Sequence, residues 1–144
     1  MRILVATDGS DSANRAVELA GKLAAQFKAE LRIVHVIHVD TLPIDQIGDY
    51  ALREHASLAD VLTTFAEEKL ADAKRRVEAL GATNIQLASP FGDVALSVID
   101  SARESKADMI VVGRRGRGQL SGLLLGSVSQ KVVSVAPCPV VVVP

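Results

Sequence analysis

Aromatic residues and cysteine are both scarce in this chain of 144 residues. Only 3% of the residues are aromatic and tryptophan is absent, although 49% are hydrophobic, so the core is expected to consist of Val, Leu, Ile and Ala side chains. The single cysteine, Cys138, excludes an internal disulfide framework and is typical of a reducing compartment. At this length one domain, residues 1–144, is expected.

Excess charge and long apolar runs are missing as well. The 16 Lys and Arg residues nearly balance the 17 Asp and Glu residues, so the chain lacks the basic surplus of a nucleic-acid-binding protein. No apolar run approaches the length of about 18 residues that a membrane-spanning helix needs. The first residues, MRILVATDGS, lack the apolar region and cleavage pattern of a secretion signal. We therefore expect a cytoplasmic protein with no nucleic-acid partner and no membrane span.

Segments with strand and helix periodicity alternate along the chain. Short β-branched and apolar runs predict strands at residues 3–7, 30–39, 84–89, 107–113 and 139–143. Helical spacing of apolar residues predicts helices at residues 11–27, 58–80, 93–104 and 127–135, with Gly81 as a left-handed C-cap residue. The alternating order indicates an α/β fold with a parallel sheet covered on both faces. Residues 40–57 have no clear periodicity and are expected to form a loop or a partly helical segment.

Two loops stand out in this arrangement. Ligands of a parallel α/β sheet bind beyond the carboxyl ends of the strands, where the strand order reverses. In a five-stranded sheet of order 3-2-1-4-5, the reversal lies between the first and fourth strands. The loops after these strands contain DGSDS (residues 8–12) and RRGRGQLSGLLLG (residues 114–126). We expect both loops to face one crevice.

The second loop combines glycine with positive charge. Five of the ten glycines lie between Gly113 and Gly126, together with Arg114, Arg115 and Arg117. Glycine permits positive φ values and close approach of the backbone to a ligand, so successive N–H groups can point at an anion. The N-terminus of the following helix also favours negative charge. This composition favours a phosphate site over a merely solvated loop.

Ser127 and Asp8 each allow two interpretations. Residues 127–130 fit a capping box, so the Ser127 hydroxyl could serve the helix or a phosphate. Asp8 ends the first strand, where a carboxylate can shape a turn or cap a helix. It can equally accept hydrogen bonds from ribose hydroxyls or from an adenine edge. Both interpretations stay open for each residue.

Other chemistries have weaker support. TDGSDS loosely resembles the S-G-G-x-D-S loop of ATP pyrophosphatases, but Asp8 stands where that loop has a glycine and would repel pyrophosphate. His35 and His38 are three residues apart on a strand and face opposite sides, and no cluster has metal-ligand spacing. Cys138 has no His beside it in sequence and is expected to be structural. No catalytic residue and no protein-held metal are predicted.

The spacing Gly113-x2-Gly116-x9-Gly126-Ser127 resembles the ATP-binding motif G-x2-G-x9-G-[ST] of the universal stress protein family. The likeness runs through VATDGSDSA, VHV, VVGRRG, LLLGSVS and APCPVVVV, over the whole chain. It implies a Rossmann-like three-layer α/β/α sandwich that binds an adenine nucleotide between the two loops and commonly forms a homodimer. That nucleotide would be ATP, or else ADP or AMP, and any Mg²⁺ would arrive with its phosphates.

The resemblance also implies roles for individual residues. Asp8 corresponds to the acid near the adenosine, and Val36 to the strand-two residue that contacts adenine. Many members have a Ser-His-like pair at the positions of Arg114 and Arg115, so added positive charge is expected here. Gly113 and Gly116 would line the ribose and phosphates. The complete implied site consists of Thr7, Asp8, Val36, Val112, Gly113, Arg114, Gly116, Gly126, Ser127, Val128 and Ser129.

Together these features predict an ATP-binding regulator of the stress response that works as a nucleotide-dependent switch, read by an unidentified protein partner. The alternatives are a slow ATPase or ATP-pyrophosphatase-like enzyme, and a dimerising module that binds no nucleotide. The run Val140–Val143 contains no Lys or Glu to protect a sheet edge, so we expect it to pair with the same residues of a second copy.

Overall fold

The computed structural model describes residues 1–38, 57–116 and 125–144. Within these residues, none of the helices is both long and apolar enough to cross a membrane. The predicted loop at residues 40–57 lies outside them, except for Ser57. The described strands are β1 (Arg2–Ala6), β2 (Glu30–Val34), β3 (Ile85–Ala88), β4 (Met109–Gly113) and β5 (Val140–Val143). The described helices are α1 (Asp11–Phe27), α2 (Leu58–Ala79), α3 (Val94–Glu104) and α4 (Ser127–Val135).

The five strands form one parallel sheet of order β3-β2-β1-β4-β5, which confirms the predicted order. Val5 of β1 lies beside Ile33 of β2 on one side and beside Val111 of β4 on the other. The strand order therefore reverses between β1 and β4. Because the carboxyl ends of parallel strands share one edge, the loops after β1 and β4 meet at this reversal.

Helices cover both faces of the sheet, which makes the fold a Rossmann-like three-layer α/β/α sandwich. On one face, α1 and α2 pack against alternate strand residues such as Val5 and Ile33. On the other face, α3 and α4 pack against Leu4 and Ile110. The core is aliphatic, as the composition predicted: its largest fully buried side chains are Ile3, Leu4, Leu31, Ile33, Ile99, Ile110, Val5, Val17, Val34, Val61, Val77 and Val98.

Small residues let α1 lie close to its neighbours. Ala16 and Ala20 are fully buried against the sheet side of the core. A Cβ placed on Gly21 would lie 2.9 Å from Cγ1 of Val77 in α2. These small residues therefore let α1 pack closely against both α2 and the sheet.

The helix ends follow their local sequences. Ser10 caps α1 by accepting a hydrogen bond from Ala13 N–H, and Ser57 and Asp60 form a capping box at α2. Gly81 follows α2 with a φ of +94°, the left-handed conformation predicted for it. Asp93 precedes α3 and caps it, since its Oδ1 accepts a 2.9 Å bond from Leu96 N–H.

β2 is shorter than the predicted strand at residues 30–39. It ends at Val34, because β1 ends at Ala6 and offers no further strand partner on that side. On the β3 side the extended pairing continues, with bonds from His35 N–H to the Ala88 carbonyl (3.0 Å) and from Ile37 N–H to the Pro90 carbonyl (2.8 Å). The chain after β2 therefore continues beside residues 88–91, and among the described residues its edge toward β1 is open.

Candidate functional site

A cleft of about 260 Å³ opens where the strand order reverses. It lies between the carboxyl ends of β1, β2 and β4 and the N-termini of α3 and α4. Every residue of the predicted site lines it except Arg114. The lining consists of Ala6, Thr7, Asp8, Ala13, Val34, His35, Val36, Val94, Val98, Val112, Gly113, Arg115, Gly116, Leu125, Gly126, Ser127, Val128 and Ser129.

One part of the cleft is apolar. Val34 and Val36 extend from the end of β2, and Val94 and Val98 lie one turn apart on α3. Val36 is 7% exposed and Val98 is fully buried, and both belong to the core cluster behind the cleft, so this wall is held in place by core packing. Such a wall suits a flat, uncharged ring.

Asp8 shapes the turn between β1 and α1. Its Oδ1 accepts a 2.9 Å hydrogen bond from Ser10 N–H, and Thr7 Oγ1 accepts one of 3.2 Å from Gly9 N–H. Gly9 has a φ of +77°, which favours glycine at this position. A Cβ placed on Gly116 would lie 2.7 Å from Asp8 Oδ2. Asp8 therefore has the turn-forming role, and it also meets the β4–α4 loop at the cleft.

The start of the β4–α4 loop is anchored to the protein by its backbone. Arg114 N–H donates to the Val143 carbonyl at 2.6 Å, and Gly126 N–H donates to the Arg114 carbonyl at 2.8 Å. Arg115 N–H donates to Ser12 Oγ at 3.4 Å. The Arg114 and Arg115 amides hold the loop against β5 and α1, and the Gly126 amide joins the two ends of the loop. None of the three therefore belongs to an anion-binding row of N–H groups of the kind the glycines suggested.

The prediction that these glycines serve positive φ values is wrong for the described part of the loop. Positive φ among the described glycines occurs at Gly9, Gly81 and Gly92, and not at Gly113, Gly116 or Gly126. Gly113 instead allows close packing. A Cβ there would lie 2.7 Å from Ser12 Oγ and 2.8 Å from Ala13 N. Gly118, Gly122 and Arg117 lie outside the described residues.

The N-terminus of α4 opens into the cleft. Gly126 is its N-cap and makes no side-chain cap, so the predicted capping box at residues 127–130 is wrong. Ser127 is the first helical residue, and its side chain is exposed. The first intrahelical bond runs from Gln130 N–H to the Gly126 carbonyl. The amides of Ser127, Val128 and Ser129 precede this bond and have no carbonyl partner within the helix.

Ser129 is a loop-supporting residue at the base of the cleft. Its side chain is 3% exposed, and its hydroxyl lies 2.9 Å from the Arg114 carbonyl and 3.0 Å from the Gly126 carbonyl. Carbonyl oxygens only accept, so the single hydroxyl hydrogen is committed to the backbone of the loop. The structure thus gives this hydroxyl a supporting role, whereas the Ser127 hydroxyl remains exposed at the mouth.

Asp93 and Lys131 connect the two helices beside the cleft. Lys131 Nζ lies 3.4 Å from Asp93 Oδ1. The Leu96 N–H bond, followed by Lys131, lowers the pKa of the Asp93 carboxyl. At neutral pH this carboxylate therefore stays charged, and it ties the N-terminus of α3 to α4.

No group of three His, Cys, Asp or Glu side chains in residues 1–38, 57–116 and 125–144 could hold a metal ion. Burial, followed by the charge of Asp108, raises the pKa of the half-buried Cys138 thiol. A raised pKa keeps the thiol protonated at neutral pH, as suits the structural role predicted for it.

The whole chain, residues 1–144, matches the sequence model of the universal stress protein family. The chain belongs to this family. A universal stress protein of Thermus aquaticus is 37% identical over 145 residues, which cover 98% of this chain and 96% of that protein. The structure of a universal stress protein in complex with cAMP is 34% identical, with a TM-score of 0.70, and the match covers 99% of this chain and 95% of that chain.

The fold is shared more widely than the sequence. The universal stress protein UspA from Lactobacillus plantarum aligns with a TM-score of 0.81 over 100% of this chain and 97% of its own, although the two are 24% identical. At that identity the likeness concerns the fold alone.

This universal stress protein has cleft residues that sequence reasoning missed. Arg115 lines the cleft, whereas the side chain of its neighbour Arg114 does not. Because the two arginines are adjacent in the loop, the sequence contains no signal that shows which of them lines the cleft. From the sequence, Val94 and Val98 are predicted only to lie in the helix at residues 93–104, and His35 is considered only as a metal ligand. The Asp93 cap, which begins α3 beside the cleft, is the signal that could have located Val94.

Proposed function

We propose that the protein binds ATP in this cleft and acts as a nucleotide-dependent switch. The observation that carries the proposal is that one cleft joins an apolar wall, the open backbone edge at Val36 after β2, the Asp8 carboxylate and the N-terminus of α4. Family membership and the relative whose structure contains cAMP support an adenine nucleotide as the ligand. ADP or AMP would use the same base and ribose contacts with fewer phosphates.

The base is assigned to the β2 side. Val34, Val94 and Val98 supply apolar contact, and within the described residues the backbone N–H and C=O of Val36 take part in no hydrogen bond. A donor and an acceptor side by side match the Watson–Crick edge of adenine, where N1 accepts and the N6 amino group donates. The cleft volume of about 260 Å³ lies just below the roughly 300–1,000 Å³ usual for ligand pockets, so a nucleoside would fill it and leave its phosphates at the mouth.

The phosphates are assigned to α4. The amides of Ser127, Val128 and Ser129, the Ser127 hydroxyl and the positive end of the helix dipole all favour an anion. Arg115, which lines the cleft, adds positive charge. Asp8 would repel phosphate, so it is assigned to the ribose hydroxyls between these two ends. Mg²⁺, where present, would be held by the phosphates.

Substitutions at the two ends of the site are expected to weaken ligand binding differently. We expect Asp8→Ala to weaken the binding of adenosine and ATP alike, by about 10–100-fold, because a lost hydrogen bond to a charged group is worth about 1.5–3 kcal/mol. Ser127→Ala should weaken ATP by roughly 3–10-fold and leave adenosine within about twofold. Isothermal calorimetry with both ligands measures this.

Asp11→Ala is the matched control for Asp8, since it removes the same charge from the exposed first turn of α1, away from the cleft lining. We expect it to leave both affinities within about twofold. Equal losses of adenosine and ATP in Ser127→Ala would contradict the assignment of the phosphates to α4.

We expect very slow turnover. Of the side chains lining the cleft, Asp8 and His35 are the described candidates for a general base, and each already holds a backbone group: Asp8 Oδ1 accepts from Ser10 N–H, and His35 Nδ1 lies 2.8 Å from the Thr7 carbonyl. Kinases and related enzymes run at roughly 1–100 per second. Steady-state phosphate release should be far below one per second, with identically purified Asp8→Ala protein as the background. A rate above about one per second that Asp8→Ala abolishes would place the protein among ATPases.

We also propose that the protein is a homodimer paired through β5. This strand is the outermost of the described sheet next to β4, and its four residues, all valine, are half-buried. An apolar edge strand without Lys, Glu or Pro at its centre can readily pair with another strand. Around a twofold axis, the β5 strands of two copies would pair with each other and satisfy the free backbone groups of both. The Val143 carbonyl also accepts the Arg114 N–H, so the end of β5 lies directly beside the start of the β4–α4 loop.

A further inference from the structure

The hydrogen-bond ladder between β1 and β2 ends at the cleft, one bond before the point to which the extended backbone of residues 35–37 could continue it. At its start Glu30 N–H donates to the Met1 carbonyl, and at its end Thr7 N–H donates to the Val34 carbonyl at 2.9 Å. In a parallel pair such bonds repeat every two residues, so the next donor is Val36 N–H and the next acceptor is the Thr7 carbonyl. Within the described residues this bond is not made.

His35 takes the place of that missing bond. Its Nδ1 lies 2.8 Å from the Thr7 carbonyl oxygen. A carbonyl oxygen can only accept, so Nδ1 carries the hydrogen. The backbone of His35 is held in turn, because its N–H donates to the Ala88 carbonyl at 3.0 Å. The imidazole therefore bonds the same carbonyl that would otherwise pair with Val36.

We propose that His35 is a positioning residue that keeps the Val36 backbone available for the base. By holding the Thr7 carbonyl, the imidazole prevents β1 and β2 from pairing one residue further and preserves the open edge at which the base is recognised. This role rests on the proposed adenine nucleotide site and extends it to a residue that would not itself have to contact the ligand. Val36 is only 7% exposed, and among the described residues its N–H stays unpaired because the imidazole occupies the carbonyl with which it would otherwise pair.

The proposal predicts a specific change when the imidazole donor is lost. In His35→Phe the ring remains but the N–H is gone, so the Thr7 carbonyl is expected to pair with Val36 N–H. In His35→Asn the side-chain amide nitrogen lies near the position of Nδ1 and can donate to the same carbonyl. His38→Phe is the matched control, because it makes the same substitution three residues on, outside the cleft lining.

The first measurement is amide hydrogen exchange of Val36 in nucleotide-free protein, followed by NMR. We expect exchange at Val36 to be at least tenfold slower in His35→Phe than in the wild type, and unchanged in His35→Asn and His38→Phe. A Val36 amide that exchanges at the wild-type rate in His35→Phe overturns the proposal. Because no nucleotide is present, this comparison decides the role of His35 whether or not the protein binds ATP.

The second measurement compares ATP with ITP by calorimetry. Hypoxanthine carries a hydrogen on N1 and an oxygen at position 6, so it would set a donor against Val36 N–H and an acceptor against its carbonyl. We expect the wild type to prefer ATP by at least tenfold, and His35→Phe to lose that preference to within about threefold while weakening ATP by roughly 10–100-fold. His35→Asn should restore the preference. A full preference in His35→Phe counts against His35, whereas a wild type that binds neither nucleotide counts against the proposed function.

Discussion

Replacing Val142 with proline is expected to convert a dimer into a monomer of half the mass. The bonds from Ile110 N–H to the Pro139 carbonyl and from Arg114 N–H to the Val143 carbonyl show which residues of β5 pair with β4. Because parallel pairing uses alternate residues, Val142 points its N–H and C=O away from β4, toward the free edge. Proline there removes the outward donor and leaves the β4 pairing in place.

A charged substitution in β5 would not test the dimer cleanly, because every side chain of this strand packs against a core cluster. Val140 and Val142 pack against one core cluster, and Val141 and Val143 against the other. A lysine at any of these positions would disturb the core as well as the edge. Val142→Thr is the matched control for proline, since it keeps the branched shape and the outward N–H, and it should remain a dimer.

Analytical ultracentrifugation across the micromolar range measures the mass of each variant. Thermal unfolding shows that each variant is folded. Two results would contradict this dimer: a wild type that is already monomeric, or a folded Val142→Pro protein that keeps the wild-type mass.

Replacing Gly113 with alanine is expected to destabilise the fold by about 1–3 kcal/mol, the usual cost of forcing an atom into a packed site. The added Cβ would lie 2.7 Å from Ser12 Oγ and 2.8 Å from Ala13 N and from the carbonyl carbon of Ser12. The last two are backbone atoms in the first turn of α1, so they cannot move aside cheaply. The melting temperature should fall by roughly 4 °C per kcal/mol for a domain of this size.

Gly126→Ala is the matched control within the same motif. Gly126 has φ −67° and ψ 161°, which any residue adopts, and a Cβ there would lie 3.4 Å from the Arg114 carbonyl oxygen. We expect a change in the free energy of unfolding within about 1 kcal/mol, since a Gly to Ala change at a permitted conformation also restricts the unfolded chain. Equal loss in both variants would contradict the claim that Gly113 serves packing and Gly126 does not.

Much of the fold could be predicted from the sequence. The β-branched runs around Val5 and Val111 and the helical spacing in α1 are local signals of strand and helix, and their alternation leaves few sheet topologies open. Gly81 was placed correctly after α2 because the left-handed conformation strongly favours one residue type. The end of β2 was placed wrongly because it depends on where β1 stops.

Much of the cleft lining could be predicted as well, through the spacing of Gly113, Gly116 and Gly126. The prediction that these glycines are needed for positive φ values was wrong for Gly113, Gly116 and Gly126. The spacing identifies which backbone positions must be free of a side chain, but the atoms that demand it, such as Ser12 Oγ beside Gly113, come from another element. The same applies to Ser127, whose neighbourhood fits a capping box that the structure replaces with Gly126 as the N-cap.

By itself, then, the sequence determined the α/β class, the aliphatic core and the two loops that meet at the reversal of strand order, because composition, periodicity and glycine spacing are properties of neighbouring residues. Only the tertiary structure decided that Arg115 rather than Arg114 lines the cleft, that Val94 and Val98 wall it, and that His35 holds the Thr7 carbonyl. These contacts depend on where α3 begins and where β2 ends relative to β1, and those positions are set by packing between segments far apart in the chain.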